Sequence, residues 1–421
     1  MIPQAILSRP LTLANGVVIK NRLVKSAMSE ALGTRQGGAT PELVRLYRAW
    51  ADGGIGLCIT GNVMIDHGAL GEPGNVVIAD DRDLAALQAW ATAATGNGTQ
   101  CWVQLNHPGK QAPKGLNKET VAPSAVPFRA EMQGLFATPR ELADAEVHGL
   151  IRRFGEAAAV VKAAGFSGVQ IHGAHGYLVS QFLSPHHNVR SDDWGGTPEK
   201  RRRFVLAVYA AIRRAVGDGF PVGIKLNSAD FQRGGFTEEE SLDTIRALAE
   251  AGIDLIEISG GTYEAPAMTG VKFARKPVRE STRLREAYFL EFAEKARQAV
   301  STPLVVTGGF RSARGMAEAI ASGAVDLVGV ARMLAIEPDA PNRLLAGLEP
   351  RRRVRPITTG IKSIDKMGIL EISWYTGQLK RIGRGSSPRP NEPALWVFGK
   401  LAWGLLRAGR KKRRPTRLRA S

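Results

Sequence analysis

The chain has 421 residues, of which 44% are hydrophobic and 23% charged, so it can bury a sizeable core and is not disordered by composition. Its formal net charge of +18 is unevenly placed: residues 350–421 hold 19 Lys and Arg against 3 Asp and Glu, whereas the rest hold 38 against 36. The two cysteines, Cys58 and Cys101, lie inside apolar runs, which excludes a disulfide framework or a four-cysteine iron–sulfur set and leaves them as buried small hydrophobes.

Along the chain, short runs rich in Val, Ile and Leu predict strands at 22–27, 55–63, 100–106, 168–173, 222–227, 255–260, 303–308 and 327–332. Helical patterns predict helices at 41–52, 82–94, 141–164, 197–216, 238–251, 285–300 and 312–322, with a shorter one near 338–346. Thr40-Pro41 reads as an N-cap followed by proline at the first helical position, and Thr237-Glu238-Glu239-Glu240 as a capping box. Gly165, Gly217, Gly252 and Gly323 stop helices just before strands. Eight alternations predict an α/β fold, a (β/α)8 TIM barrel over 1–349, followed by a basic C-terminal extension over 350–421. An open doubly wound sheet would place a glycine-rich turn after the first strand, and Lys25-Ser26-Ala27-Met28-Ser29-Glu30 has none. Two long connections, 107–140 and 174–196, follow the carboxyl ends of strands, where barrel enzymes place their chemistry.

The stretch Val169 to Leu178 carries the strongest chemical signal. A buried strand ends at His172, and His175 and Tyr177 follow within six residues. Imidazoles there can donate hydrogen bonds to a substrate oxygen, and a phenol, protonated at neutral pH, can serve as a general acid. Two histidines three apart would suit zinc only with a further converging ligand, and no Cys-x-x-Cys or His-Glu-x-x-His accompanies them, so no metal is expected. A structural role for one histidine stays open. Polar residues also punctuate other strand ends: Ser29, Gly61-Asn62, Gln104, Lys225, Thr307-Gly308-Gly309 and Ala331-Arg332. The last two suit a phosphate, through freed backbone N–H groups and a guanidinium fork. Lys225 stands in an apolar strand and needs a partner, either the electron-rich edge of a reduced flavin or an acid such as Glu257 or Asp230.

These pieces resemble the Old Yellow Enzyme family of NADH:flavin oxidoreductases. The matching segments are Pro10-Leu11-Thr12-Leu13, Asn15-Gly16, Lys20 to Val24, Gln104 to Gly109, His172 to Leu178 with Gln181-Phe182, Asn188 to Asp192 and Trp194-Gly195-Gly196, together with the two phosphate pieces, spanning roughly 5–346 in order. The resemblance implies FMN as cofactor and NADH or NADPH as hydride donor. It implies that Ala27, Met28 and Ser29 run along the flavin and that Gln104 holds its pyrimidine edge. Lys225 would hold the N1/O2 side, and Gly309, Ala331 and Arg332 the phosphate. His172 and His175 would bind the carbonyl of an unsaturated small-molecule substrate, and Tyr177 would protonate the alkene. Gly61, Asn62 and Gly308 complete the expected cofactor set. Departures are Ala27 where many members have proline, Lys225 where many have arginine, and Ser29 and Ala31 where one branch has cysteine and tyrosine. Two cysteines cannot supply the iron–sulfur cluster of the larger dienoyl-CoA reductase and amine dehydrogenase relatives.

The expected activity is therefore that of an FMN-dependent NAD(P)H oxidoreductase of ene-reductase type. The alternatives are an amine dehydrogenase or demethylase on the same barrel, and a cofactor-free barrel serving as a scaffold at the membrane surface. No signal peptide or transmembrane run is evident, so a cytoplasmic location is expected. For the tail, a solvated extension and a peripheral membrane contact through 394–419 both stand; nucleic acid is not expected, because no recognition fold accompanies the charge.

Overall fold

The structure, a computed structural model, describes residues 2–261, 289–365 and 369–400. Eight parallel strands close into a barrel: β1 (Leu23–Lys25), β2 (Leu57–Met64), β3 (Gln100–Asn106), β4 (Gly168–Gly173), β5 (Val222–Asn227), β6 (Leu255–Ser259), β7 (Leu304–Thr307) and β8 (Leu327–Val330). Strand β8 closes on β1 through Val328 opposite Leu23 and Val330 opposite Lys25. The outer helices are α1 (Pro41–Asp52), α2 (Leu84–Ala94), α3 (Asp144–Ala163), α4 (Pro198–Val216), α5 (Glu238–Glu250), α6 (Leu290–Ala299), α7 (Ala313–Ala321) and α8 (Ala340–Leu345). The first part of the helix expected over 285–300 lies outside the described residues.

The local signals act as elementary chemistry requires. Thr40 accepts from the Leu43 N–H at the start of α1. At α5, Thr237 accepts from the Glu240 N–H at 3.2 Å while the Glu240 carboxylate accepts from the Thr237 N–H at 3.1 Å, which satisfies two otherwise orphaned donors. Gly165 and Gly252 follow α3 and α5 with φ of 89° and 90°, a conformation that costs any residue with a Cβ.

Inside the barrel, side chains stack in layers. The floor is apolar: Val24, Leu57, Ile59, Trp102, Leu255, Val305 and Leu327 form one buried cluster. A short N-terminal hairpin, Leu11–Thr12 with Val18–Ile19, adds Leu13 and Ile19 to it and so plugs the amino-terminal end. Trp102 fits there because both strands beyond it offer glycine. A Cβ on Gly168 would lie 2.5 Å from its ring, and one on Gly223 2.9 Å. Strand alternation then places polar residues two positions further on, toward the carboxyl ends.

Beyond the barrel, α9 (Ile369–Gly383) packs back on it. Its Leu370, Trp374, Leu379 and Ile382 join the same buried cluster as the barrel helices. No described helix is long and apolar enough to cross a membrane.

Candidate active site at the carboxyl end of the barrel

The middle layer is a continuous polar network. Gln104 on β3 donates to Gln170 on β4 at 2.8 Å, and Gln170 donates to Glu257 on β6 at 2.8 Å. Thr307 on β7 donates to the other Glu257 oxygen at 2.7 Å, and Ser26 lies 2.6 Å from Thr307. Lys225 on β5 sits directly beside Glu257 in register, with its ammonium 3.0 Å from the carboxylate. Of the two partners open for Lys225, the acid is thus present as a side-chain contact. Both side chains are almost fully enclosed, 4% and 1% exposed. Burial alone would raise the Glu257 pKa; the Lys225 charge and the bonds from Thr307 and Gln170 outweigh it and hold the carboxyl below its usual range.

One layer higher, at the mouth, stand His172 and the loop that follows β4. The rings of His172 and Tyr177 are 4.7 Å apart, and those of His172 and His175 5.2 Å. His172 Nδ1 accepts from the Ala174 N–H at 3.3 Å, so the ring proton resides on Nε2, which is a donor. His175 has a left-handed backbone, φ 61°, held by the Asn227 side chain, which accepts from its N–H at 3.1 Å. That turn points the ring at β6, where Nε2 lies 2.8 Å from the Ser259 hydroxyl. Burial, then the nearby Lys225 charge, pushes both imidazoles well below the ordinary histidine range, so both are neutral at pH 7. Among the described residues no cluster of metal-ligating side chains exists.

The remaining expected positions fall as follows. Ala27, Met28 and Ser29 leave the end of β1, and the Ser29 hydroxyl donates to Glu72. Gly61 and Asn62 lie within β2 rather than at its end, at an irregularity in the pairing between Ile59 and Asn62; Asn62 is in register with Gln104. The Gly61 N–H is taken by Glu30 at 3.0 Å, and a Cβ there would lie 2.1 Å from that carboxylate. Its glycine therefore answers to the packing of Glu30. After β7, Gly308 and Gly309 have φ of 118° and 87°, a pair of consecutive backbone amides in conformations closed to other residues. After β8, Ala331 breaks the strand and Arg332 opens a short helix, Arg332–Ile336. Glycine amides after β7 and a guanidinium after β8 are the donors a phosphate monoester takes, and the Gln104 amide, Lys225 ammonium and His172 imidazole are donors of the kind the carbonyl-rich edge of a flavin takes, so the residues present fit FMN.

Sequence reasoning missed Gln170, Asn227, Ser259, Glu72 and Glu371, which meet the expected residues. The first three carry a signal that finds them. In β4, β5 and β6 polar residues recur with period two in otherwise apolar runs, as Gln170/His172, Lys225/Asn227 and Glu257/Ser259. Glu72 and Glu371 lie outside the barrel strands and carry no such period.

Comparison with known proteins shows the family and the fold. Residues 7–350 match the model of the NADH:flavin oxidoreductase / NADH oxidase family. The NADH-dependent flavin oxidoreductase iliE of Neonectria sp. (strain DH2) is 39% identical over 79% of this chain, which spans only 46% of that relative's length. The NADH-dependent flavin oxidoreductase iccE of Talaromyces variabilis is 33% identical over 90% of this chain and 98% of its own. The solved old yellow enzyme homologue from Zymomonas mobilis superposes with a TM-score of 0.71 at 23% identity, covering 83% of this chain and 94% of that one.

Proposed function

Because the chain belongs to the NADH:flavin oxidoreductase family of Old Yellow Enzymes, FMN-dependent oxidoreductases that take hydride from NAD(P)H, we propose that it is an ene-reductase acting on α,β-unsaturated carbonyl compounds. The observation that carries this reading is the mouth itself: two neutral imidazoles and the Tyr177 phenol gathered over the Lys225–Glu257 layer. FMN, when bound, supplies the hydride chemistry.

The chain's own residues do the rest. His172, protonated on Nε2, donates to the substrate carbonyl, and His175, whose Nε2 is paired with the Ser259 hydroxyl, joins it through its ring N–H. Neutral donors are well suited here, because they polarise the carbonyl and keep their protons. Tyr177, a phenol beside His172, delivers the proton that completes the reduced C–C bond. Gln104, Lys225, Ser29 and Met28 hold the ring system, with Ala27 and Asn62 beside them, and Gly308, Gly309, Ala331 and Arg332 hold the phosphate. Gly61 shapes the wall through Glu30. The test is anaerobic: protein reduced by NADH is mixed with 2-cyclohexenone. Rapid return of the oxidised flavin spectrum is expected. No return with the enone, together with bleaching of oxidised protein by an amine, would assign it to the amine dehydrogenases instead.

We also propose that residues 394–419 of the extension dock on an anionic lipid surface. Leu395 and Trp396 are 53% and 64% exposed side by side, and Arg407 to Arg419, which lies outside the described residues, brings basic residues and no acid. Full-length protein is expected to sediment with phosphatidylglycerol vesicles and not with phosphatidylcholine vesicles, and the L395E/W396E variant to stay behind. Wild-type protein left in the supernatant with both would overturn the proposal.

A further inference from the structure

Helix α9 stands outside the eightfold repeat, yet it reaches residues at two corners of the proposed cofactor cradle. Glu371, in its first turn, accepts from Arg332 Nη1 at 2.8 Å. Thr376 donates to the Ser29 carbonyl at 3.2 Å. Lys380 lies near enough to Glu72, the acceptor of the Ser29 hydroxyl, for the two charges to act on each other. The helix is firmly seated. Trp374 and Leu379 are buried, the Trp374 indole donates to the Glu392 carbonyl at 3.0 Å, and Gln378 accepts from the Arg389 N–H at 2.6 Å. Glu371 is therefore a fixed carboxylate next to buried Leu370, while Arg332 is a long, half-exposed side chain with many rotamers.

A guanidinium has five N–H donors in a planar fork. A carboxylate on one amino group fixes the plane and leaves donors free for an oxyanion. We infer that Glu371 is a positioning residue for the cofactor's phosphate, so that the C-terminal helix completes a site otherwise built by the barrel. This inference rests on the FMN reading above and names the part the extension plays in it.

The test compares two flavins that differ only in the phosphate. Flavin-stripped wild type, Glu371→Gln and Glu371→Ala are titrated with FMN and with riboflavin, following quenching of flavin fluorescence. Freeing one long side chain weakens binding by about 3- to 10-fold. That loss is expected for FMN in Glu371→Ala, with a smaller one in Glu371→Gln, whose amide oxygen still accepts. Riboflavin affinity is expected to stay within twofold of wild type in both. Equal losses for both flavins would mean that Glu371 only supports the fold. Unchanged or tighter FMN binding would mean that the carboxylate competes with the phosphate. Either result overturns the inference while leaving the cofactor reading intact. Wild-type protein that binds neither flavin overturns both.

Discussion

Replacing Lys225 with methionine isolates the chemistry of the central layer. The change removes the ammonium and keeps the bulk, leaving the Glu257 carboxylate enclosed with Thr307 and Gln170 as its remaining donors. At 4% and 1% exposure, solvent does not screen the pair, so the cost follows buried ion pairs, about 3–5 kcal/mol for losing one partner. The two surviving hydrogen bonds place it near the lower end, about 3 kcal/mol. At roughly 2 °C per kcal/mol for a large domain, the flavin-stripped protein should melt about 6 °C lower at pH 8. The sign with pH follows from Glu257. In the wild type its folded pKa is depressed, so its contribution to stability is present above the ordinary carboxylate range and lost as pH falls through the folded value. In the variant the orphaned carboxyl is pushed up and can take a proton, so the penalty should shrink between pH 8 and pH 5. The double variant K225M/E257Q, with no buried charge, should recover at least half of the loss. Melting curves of the wild type and the two variants at both pH values check this. A single-variant penalty under about 1 kcal/mol, or an equal penalty at both pH values, would refute the claim that the pair is held by burial and charge.

Tyr177→Phe should slow enone reduction by about 10²- to 10⁴-fold and leave reduction of the flavin by NADH near wild type, as stopped-flow traces of each half-reaction will read. With His172 and His175 neutral throughout, the enone half-reaction should be flat between pH 6 and 8; an inflection near the ordinary histidine pKa would contradict the effect ascribed to burial. Gly168→Ala drives a methyl to 2.5 Å from the Trp102 ring and should cost about 1–3 kcal/mol, read as a lower urea midpoint. Thr237→Ala removes half of the capping box of α5 and should cost about 1 kcal/mol in the same assay.

The barrel is legible in the sequence because strands buried on both faces must be apolar almost throughout, and because helix ends need caps. Strands β3, β4 and β5 occupy the residues their apolar runs indicate. The run at 55–63 starts two residues late, at Leu57, and two further differences sit at the mouth. The run at 303–308 stops at Thr307 because Gly308 and Gly309 turn left-handed, and the run at 327–332 stops at Val330, where Ala331 breaks away. Those are the places where the backbone serves the proposed phosphate site in preference to the sheet. The histidines and Tyr177 are legible from their clustering after one strand. Lys225 leaves its partner open, since a lysine in an apolar run announces only that it needs one; the register of β5 against β6 supplies Glu257. Glu72 and Glu371 stay hidden, because their contacts join positions about 40 residues apart through loops and an appended helix that obey no barrel period.

Equilibrium dialysis of flavin-stripped protein against FMN, read as the visible spectrum of the retained fraction, tests the flavin site most directly. One FMN per chain is expected, with a yellow spectrum displaced from that of free FMN and bleaching on anaerobic addition of NADH. A folded protein that stays colourless after dialysis would contradict the convergence of residues 27–332 on one flavin, and with it the roles given to Lys225, His172, His175 and Tyr177.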